Sequence, residues 1–248
     1  MKKIFTIILA VLLINTISKA QDTLYMYKNG SVVGKRAILE IDSITFYKTP
    51  DAPANTASDI DGNIYSFVTI GTQTWMAENL KTTKYRNGDL IGTTTASIPN
   101  DASSKYQWAY NNDENNVATY GRLYTWYAAT DAREICPIGW HLPSDDEWTT
   151  LTNYLGNYAG NKLKETGTTH WSQTTGAVTN ETGFTALPSG SRYGVGTFIN
   201  IGNNGSWWSS TEGSTTNAWT RVMYDDDYFV DRNSTNKSYG ESVRCLRD

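Results

Sequence analysis

The chain has 248 residues, a formal net charge of −4 and only 19% charged residues, a balance that argues against binding nucleic acid or an anionic membrane. Two Cys exclude a cysteine-rich miniprotein, and the length suits one main domain able to bury a good core. Aromatic residues reach 12%, with 9 Trp and 16 Tyr.

Lys2 and Lys3 precede an apolar run from Phe5 to Ile14, broken only by Thr6, and Ser18-Lys19-Ala20 offers small residues before Gln21. This is the pattern of a secretory signal peptide over residues 1–20, cleaved after Ala20. The apolar run is about half the roughly 20 residues that a membrane-spanning helix needs. The protein is therefore expected to be exported, to the periplasm, the cell surface or the medium, without membrane insertion after cleavage. In an oxidising compartment two lone cysteines pair, so Cys136 and Cys245 are expected to form a disulfide; the alternative is two buried free thiols.

Residues 21–48 read as a small β unit. Leu24-Tyr25-Met26-Tyr27 is a strand run, Asn29-Gly30 a hairpin turn, and Ile38 to Tyr47 carries further strand signal. Residues 49–58, small and Pro-containing, read as a linker, and the main domain runs over 59–248. Ile64 to Ile70 reads as a strand between Asp61-Gly62 and Gly71, with Thr74-Trp75-Met76 as its hairpin partner. Residues 92–119 read as loop with short elements, and Arg122 to Ala132 as a helix. A second helix starts at Ser144, whose Glu147 partner makes a capping box; Trp148, Leu151 and Leu155 line one face, and Gly156 ends it. Short aromatic strands follow at Gly205 to Ser210, Ala218 to Tyr224 and Ser242 to Leu246. Few helices followed by many short strands give an α+β domain.

No residue set names a reaction. Asp59-Ile60-Asp61-Gly62-Asn63 has the flavour of a calcium loop, but Ile70 stands where the bidentate Glu would be, and a turn is the simpler reading. Asp225-Asp226-Asp227 and Asn111-Asn112-Asp113-Glu114 read as acidic loop tips. His141 and His170 have no nucleophile motif near them, and nucleophile elbow, phosphate loop and His-Glu-x-x-His are all missing. No catalytic residue, metal or cofactor is implied. A glycosidase carboxylate pair can be neither named nor excluded from sequence. The aromatics say more, because Trp and Tyr faces suit recognition surfaces and stack on sugar rings. Trp207, Trp208, Trp219 and Tyr224, near Arg192, Tyr193 and Arg221, form the candidate ligand-binding set. On one strand Trp207 and Trp208 point to opposite faces, so one is expected in the core and one outward.

Seven blocks then carry a family resemblance. They are Asp59 to Tyr65, Trp75-Met-Ala-Glu-Asn-Leu80, Tyr120 to Trp126, Cys136-Pro-Ile-Gly-Trp-His-Leu-Pro-Ser144 with Glu147-Trp148, Gly183 to Pro188, Trp207-Trp-Ser-Ser-Thr-Glu212 and Ser242-Val-Arg-Cys-Leu246. In this order they resemble the Fibrobacter succinogenes major paralogous domain over about residues 59–248, a family of secreted bacterial proteins that brings no established activity. More distantly, His141-Leu-Pro-Ser with Glu147-Trp148 and the closing Val-Arg-Cys resemble the C-type-lectin-like fold, in particular its formylglycine-generating-enzyme branch. That resemblance implies a C-type-lectin-like α+β domain with two or three helices and many short antiparallel strands. The oxidase's close Cys pair and the calcium-dependent lectins' Glu-Pro-Asn or Gln-Pro-Asp triplet are both missing here. The expectation is an exported non-enzymatic module binding a polysaccharide or a cell-surface partner. The alternatives are a glycan-acting enzyme and a purely structural surface protein.

Overall fold

The structure, a computed structural model, describes residues 55–99 and 103–248, together with the backbone of residues 23–28 and 31–37. Contacts divide the chain into two units, residues 1–50 and 51–248. In the first, β1 (Thr23–Lys28) pairs antiparallel with β2 (Ser31–Ala37), Lys28 opposite Ser31, with Asn29-Gly30 between them where the turn is expected. The signal peptide over residues 1–20 and the strand signal of Ile38 to Tyr47 lie outside the described residues.

The second unit begins with β3 (Thr56–Ser58), which occupies the end of the stretch read as linker. β4 (Ile64–Ile70) and β5 (Gln73–Met76) form the expected hairpin, with Ile70 opposite Gln73. Then come β6 (Gln107–Trp108), α1 (Val117–Tyr120), β7 (Leu123–Tyr124), α2 (Trp126–Ala129) and β8 (Trp140–His141). Next are α3 (Asp145–Leu155), α4 (Ala159–Leu163), β9 (Ser189–Arg192) and β10 (Phe198–Ile201). The chain ends with β11 (Asn204–Glu212), β12 (Asn217–Tyr224), β13 (Asp231–Asn236), β14 (Glu241–Ser242) and β15 (Leu246–Arg247). The unit is mostly strand with few helices, an α+β domain of two curled sheets.

One sheet has the order β3-β4-β5-β15-β8. The other runs β10-β9-β11-β14-β7-β6, with β12 and β13 added beside β11. α3 starts where Ser144 places it. The Ser144 Oγ accepts the Glu147 N–H while Glu147 takes the Ser144 N–H at 2.7 Å, and Gly156 ends the helix at a positive φ of 68°. The helix expected over Arg122 to Ala132 is instead a two-residue strand and one helical turn. Leu123 and Tyr124 pair with both β6 and β14, and Thr125 caps the short α2 that remains. Sheet pairing on both edges outweighs the local helical pattern. The strand expected over Ser242 to Leu246 is likewise split, its two ends serving different sheets.

Trp207 and Trp208 do point to opposite faces of β11, yet both are 0% exposed. Trp207 enters a core with Trp75, Trp148, Trp171 and Phe184. Trp208 enters another with Tyr65, Tyr124, Trp140 and Cys245. The expectation that one ring faces outward is thus corrected, because β11 is covered on both faces. Each indole nitrogen is also satisfied, Trp207 by Asn79 Oδ1 at 2.8 Å and Trp208 by the Tyr124 carbonyl at 2.7 Å. Cys136 and Cys245 are disulfide-bonded.

Trp207→Ala and Trp208→Ala should each cost roughly 3–5 kcal/mol in chemical denaturation, since each leaves a core cavity and removes a buried indole hydrogen bond. A near-neutral result for either would place that ring outside the core. The disulfide closes a loop of 109 positions, for which the chain-entropy relation gives about 4–5 kcal/mol. Cys245→Ser with Cys136→Ser should lower the denaturation midpoint accordingly, and the unreduced protein should titrate no thiol.

Candidate functional site

The second sheet carries a polar groove of about 370 Å³ on β9 to β14, lined by tyrosines, amides and hydroxyls. The strand pairing explains which residues meet there. Asn204 of β11 is opposite Tyr224 of β12, and Ser206 is opposite Val222; residues two apart on a strand share a face. Ser191 of β9 bonds Glu241 of β14, and Tyr193 follows directly after the end of β9 in the same lining. Tyr193, 39% exposed, packs its ring 4.8 Å from that of Tyr239. The Tyr224 hydroxyl accepts from Asn233 Nδ2 at 3.4 Å, and burial raises its pKa.

Two floor residues are chemically unusual. Glu241 is 2% exposed, and among the described residues no cation pairs with it; the Ser191 hydroxyl donates to its Oε2 at 2.6 Å, and the Ser206 hydroxyl of the same groove also favours its ionised form. Burial outweighs these hydroxyl bonds and pushes its pKa up to about 8, so it is a neutral acid at pH 7. Asn204 is 8% exposed, and its buried Oδ1 has no hydrogen-bond partner among the described residues. An orphaned acceptor of this kind costs free energy that a donor from a ligand would restore.

Of the candidate set, the groove takes Tyr193 and Tyr224 only. Arg192, Arg221, Trp207 and Trp208 are buried and serve the fold. Arg192 lies over the Trp108 ring at 4.2 Å and donates to the Ala96 carbonyl at 2.9 Å. Arg221 donates to the Asp145 carboxylate and to Thr149, fixing the start of α3. Trp219 is half-buried with the Arg232 guanidinium 3.3 Å from its ring centroid. Four of the seven candidate ligand-binding residues are thus buried within the fold and face no ligand surface. Asn204, Ser206, Tyr239 and Glu241 were not singled out from sequence. A polar strand residue reads as solvent-facing, and only the run of Asn on β11 to β13 hinted otherwise.

The other polar clusters have local duties. Asp59 Oδ1 accepts the N–H groups of Asp61 and Asn63, each at 3.0 Å, and Asp61 takes the Thr83 N–H at 2.7 Å. His141 bridges Glu147 at 2.9 Å and Asp248 at 2.7 Å; burial opposes its charge, but these bonds outweigh it and raise its pKa. His170 pairs with Glu165 at 2.8 Å. A larger cavity of about 440 Å³ beside the disulfide is lined by Phe67, Ile135, Ile138 and Trp140. Its Arg86 is committed to the carbonyls of Cys136 and Pro137, so few free polar groups converge there.

Residues 68–247 match the family model described as the Fibrobacter succinogenes major domain, and the chain belongs to that family. Neither the comparison with curated proteins nor that with solved structures gave a match.

A buried acid with a raised pKa holds a proton in the folded state that the unfolded chain releases. Its contribution to stability is therefore intact below the ordinary Glu range, about 4.3, and is lost as pH rises from there to about 8. His141, with a raised pKa, contributes below about 6.5 and loses that contribution as pH climbs through its folded value. Both slopes run the same way, so variants separate them. Glu241→Gln should flatten the decline in melting temperature toward about pH 8, and His141→Gln should remove only the limb near and above about 6.5. A decline unchanged by Glu241→Gln would mean that this carboxyl is ionised in the native protein.

Proposed function

We propose that the chain is an exported, non-enzymatic module that binds a neutral polysaccharide or oligosaccharide in the groove of Tyr193, Tyr224 and Tyr239. The observation that carries this reading is the lining itself. Flat phenol faces stand among Asn and Ser groups that donate and accept, and among the described lining residues there is no Lys, Arg or His. Such a surface suits rings rich in hydroxyl groups and offers no cation to a phosphate, a sulfate or a uronic acid. Glu241 is the one carboxyl among the described lining residues, whereas glycoside hydrolysis ordinarily uses two. That favours binding over turnover.

Export is supported by the signal-peptide pattern and the disulfide; among the described residues no helix is long and apolar enough to cross a membrane. The finer fold reading, a C-type-lectin-like domain, is part of the same proposal. In its favour, the Leu142-Pro143-Ser144 to Trp148 segment and the closing Val243-Arg244-Cys245 are tied together by the Cys136–Cys245 bond and by β8 pairing with β15.

Titration calorimetry against neutral and anionic oligosaccharides, with a hydrolysis assay on the same compounds, tests the reading. Binding of neutral glycans without turnover is expected, and Tyr193→Ala should weaken it roughly tenfold, about 1.4 kcal/mol, with an unchanged melting curve. Turnover, or preference for anionic glycans, would contradict it.

A further inference from the structure

The floor of the groove carries a buried acid and a buried acceptor that has no partner among the described residues. Asn204 Oδ1 is a buried acceptor without a donor. Glu241 retains its proton at neutral pH, and both residues line the same groove. Asn204 and Ser206 share a face of β11, about 6.7 Å apart along the strand. Ser206 and Glu241 line the same groove.

Resting on the reading of the groove as a neutral-glycan site, we propose that its floor captures a vicinal hydroxyl pair. One hydroxyl donates to Asn204 Oδ1 and its neighbour accepts from the Glu241 carboxyl, so binding requires the proton on Glu241. A hydroxyl suits both partners because it donates and accepts. Ionised, Glu241 would lose its donor and place an unpaired charge under the ligand.

The titratable and charged groups around Glu241 come from every strand packed near it. Ser191 on β9 and Ser206 on β11 are neutral hydroxyls. Tyr124, its pairing partner on β7, donates to the Thr82 carbonyl, and burial holds its pKa well above the usual tyrosine value. Tyr224 on β12 is also raised by burial. Asp231 on β13 is raised from the carboxylate range by burial and by Asp227. The Arg192 guanidinium, though β9 is adjacent, is committed to the Thr94 and Ala96 carbonyls. Tyr193 and Tyr239 complete the set on the open side.

The test is titration of the full protein with cellohexaose and with β-1,4-mannohexaose at about pH 6 and about pH 9, a window that brackets the Glu241 proton. Affinity for the bound hexaose should fall about tenfold or more between the two. Asn204→Ala should weaken binding at the lower pH about tenfold while its melting curve matches wild type. Glu241→Gln should reduce the ratio between the two pH values to about twofold or less, whatever its absolute affinity. Binding that is flat with pH in wild type, or that survives Asn204→Ala, would overturn the hydroxyl-pair proposal while leaving the glycan reading intact. Failure of both hexaoses to bind at about pH 6 would overturn both.

Discussion

The amide of Asn79 is the junction on which the two sheets depend. Its Oδ1 accepts from Trp207 Nε1 at 2.8 Å, from Arg244 Nη2 at 2.7 Å and from Arg244 Nε at 3.1 Å. Its Nδ2 donates to the Tyr120 carbonyl at 2.9 Å and to Ser242 Oγ at 3.4 Å. A side chain 4% exposed thus joins the segment after β5, the middle of β11 and the closing residues. The crowding is tight enough that a Cβ on Gly121 would lie 2.7 Å from the Asn79 Cβ. Arg244 is buried, and among the described residues no carboxylate is bonded to it. Its charge rests on the Asn79 oxygen and the Phe184 and Thr185 carbonyls, with the guanidinium 4.2 Å over the Phe184 ring; burial lowers its pKa to about 9. A buried cation held only by amide oxygens tolerates little movement of those oxygens.

From that junction the closing segment of the chain acquires its role. Ser242 pairs with β7 and β11 in one sheet, and two residues after Arg244, Leu246 pairs with β5 and β8 in the other. Between them Val243 accepts the Leu80 N–H at 2.8 Å, and Cys245 accepts the Met76 N–H at 3.1 Å and carries the disulfide. The groove follows as a consequence. Once Trp207 and Arg244 are drawn toward Asn79, Ser206 and Asn204 must face the other side of β11, where Glu241 and the tyrosines meet them.

The sequence made local structure legible wherever a short-range rule was sufficient. The capping box at Ser144 and Glu147, the β4–β5 hairpin and the hairpin about Asn29-Gly30 are all of this kind. The Cys136–Cys245 pair was legible because only two cysteines exist. The failures lie where long-range pairing decides. Leu123 and Tyr124 leave a helical pattern for strands on either side, and β13, Asp231–Asn236, is too polar to signal a strand before its partner β12 is known. The site was half legible for the same reason. Tyr193 and Tyr224 were visible as aromatics, but the burial of Trp207 with Trp208, and of Glu241, depends on layers that cover a strand from both sides. No residue-level rule reports such coverage.

Native-state hydrogen exchange measures the junction directly. If Asn79 and Arg244 bind the sheets into one cooperative body, the amides of Met76 and Leu80, which bond to Cys245 and Val243, should open together with Trp207 and Trp208 at the free energy of global unfolding. In Asn79→Ala all four should fall by the same amount. Early, independent exchange of Met76 and Leu80 while β11 stays protected would contradict the account, because the closing segment would then peel away without the strand it is said to hold.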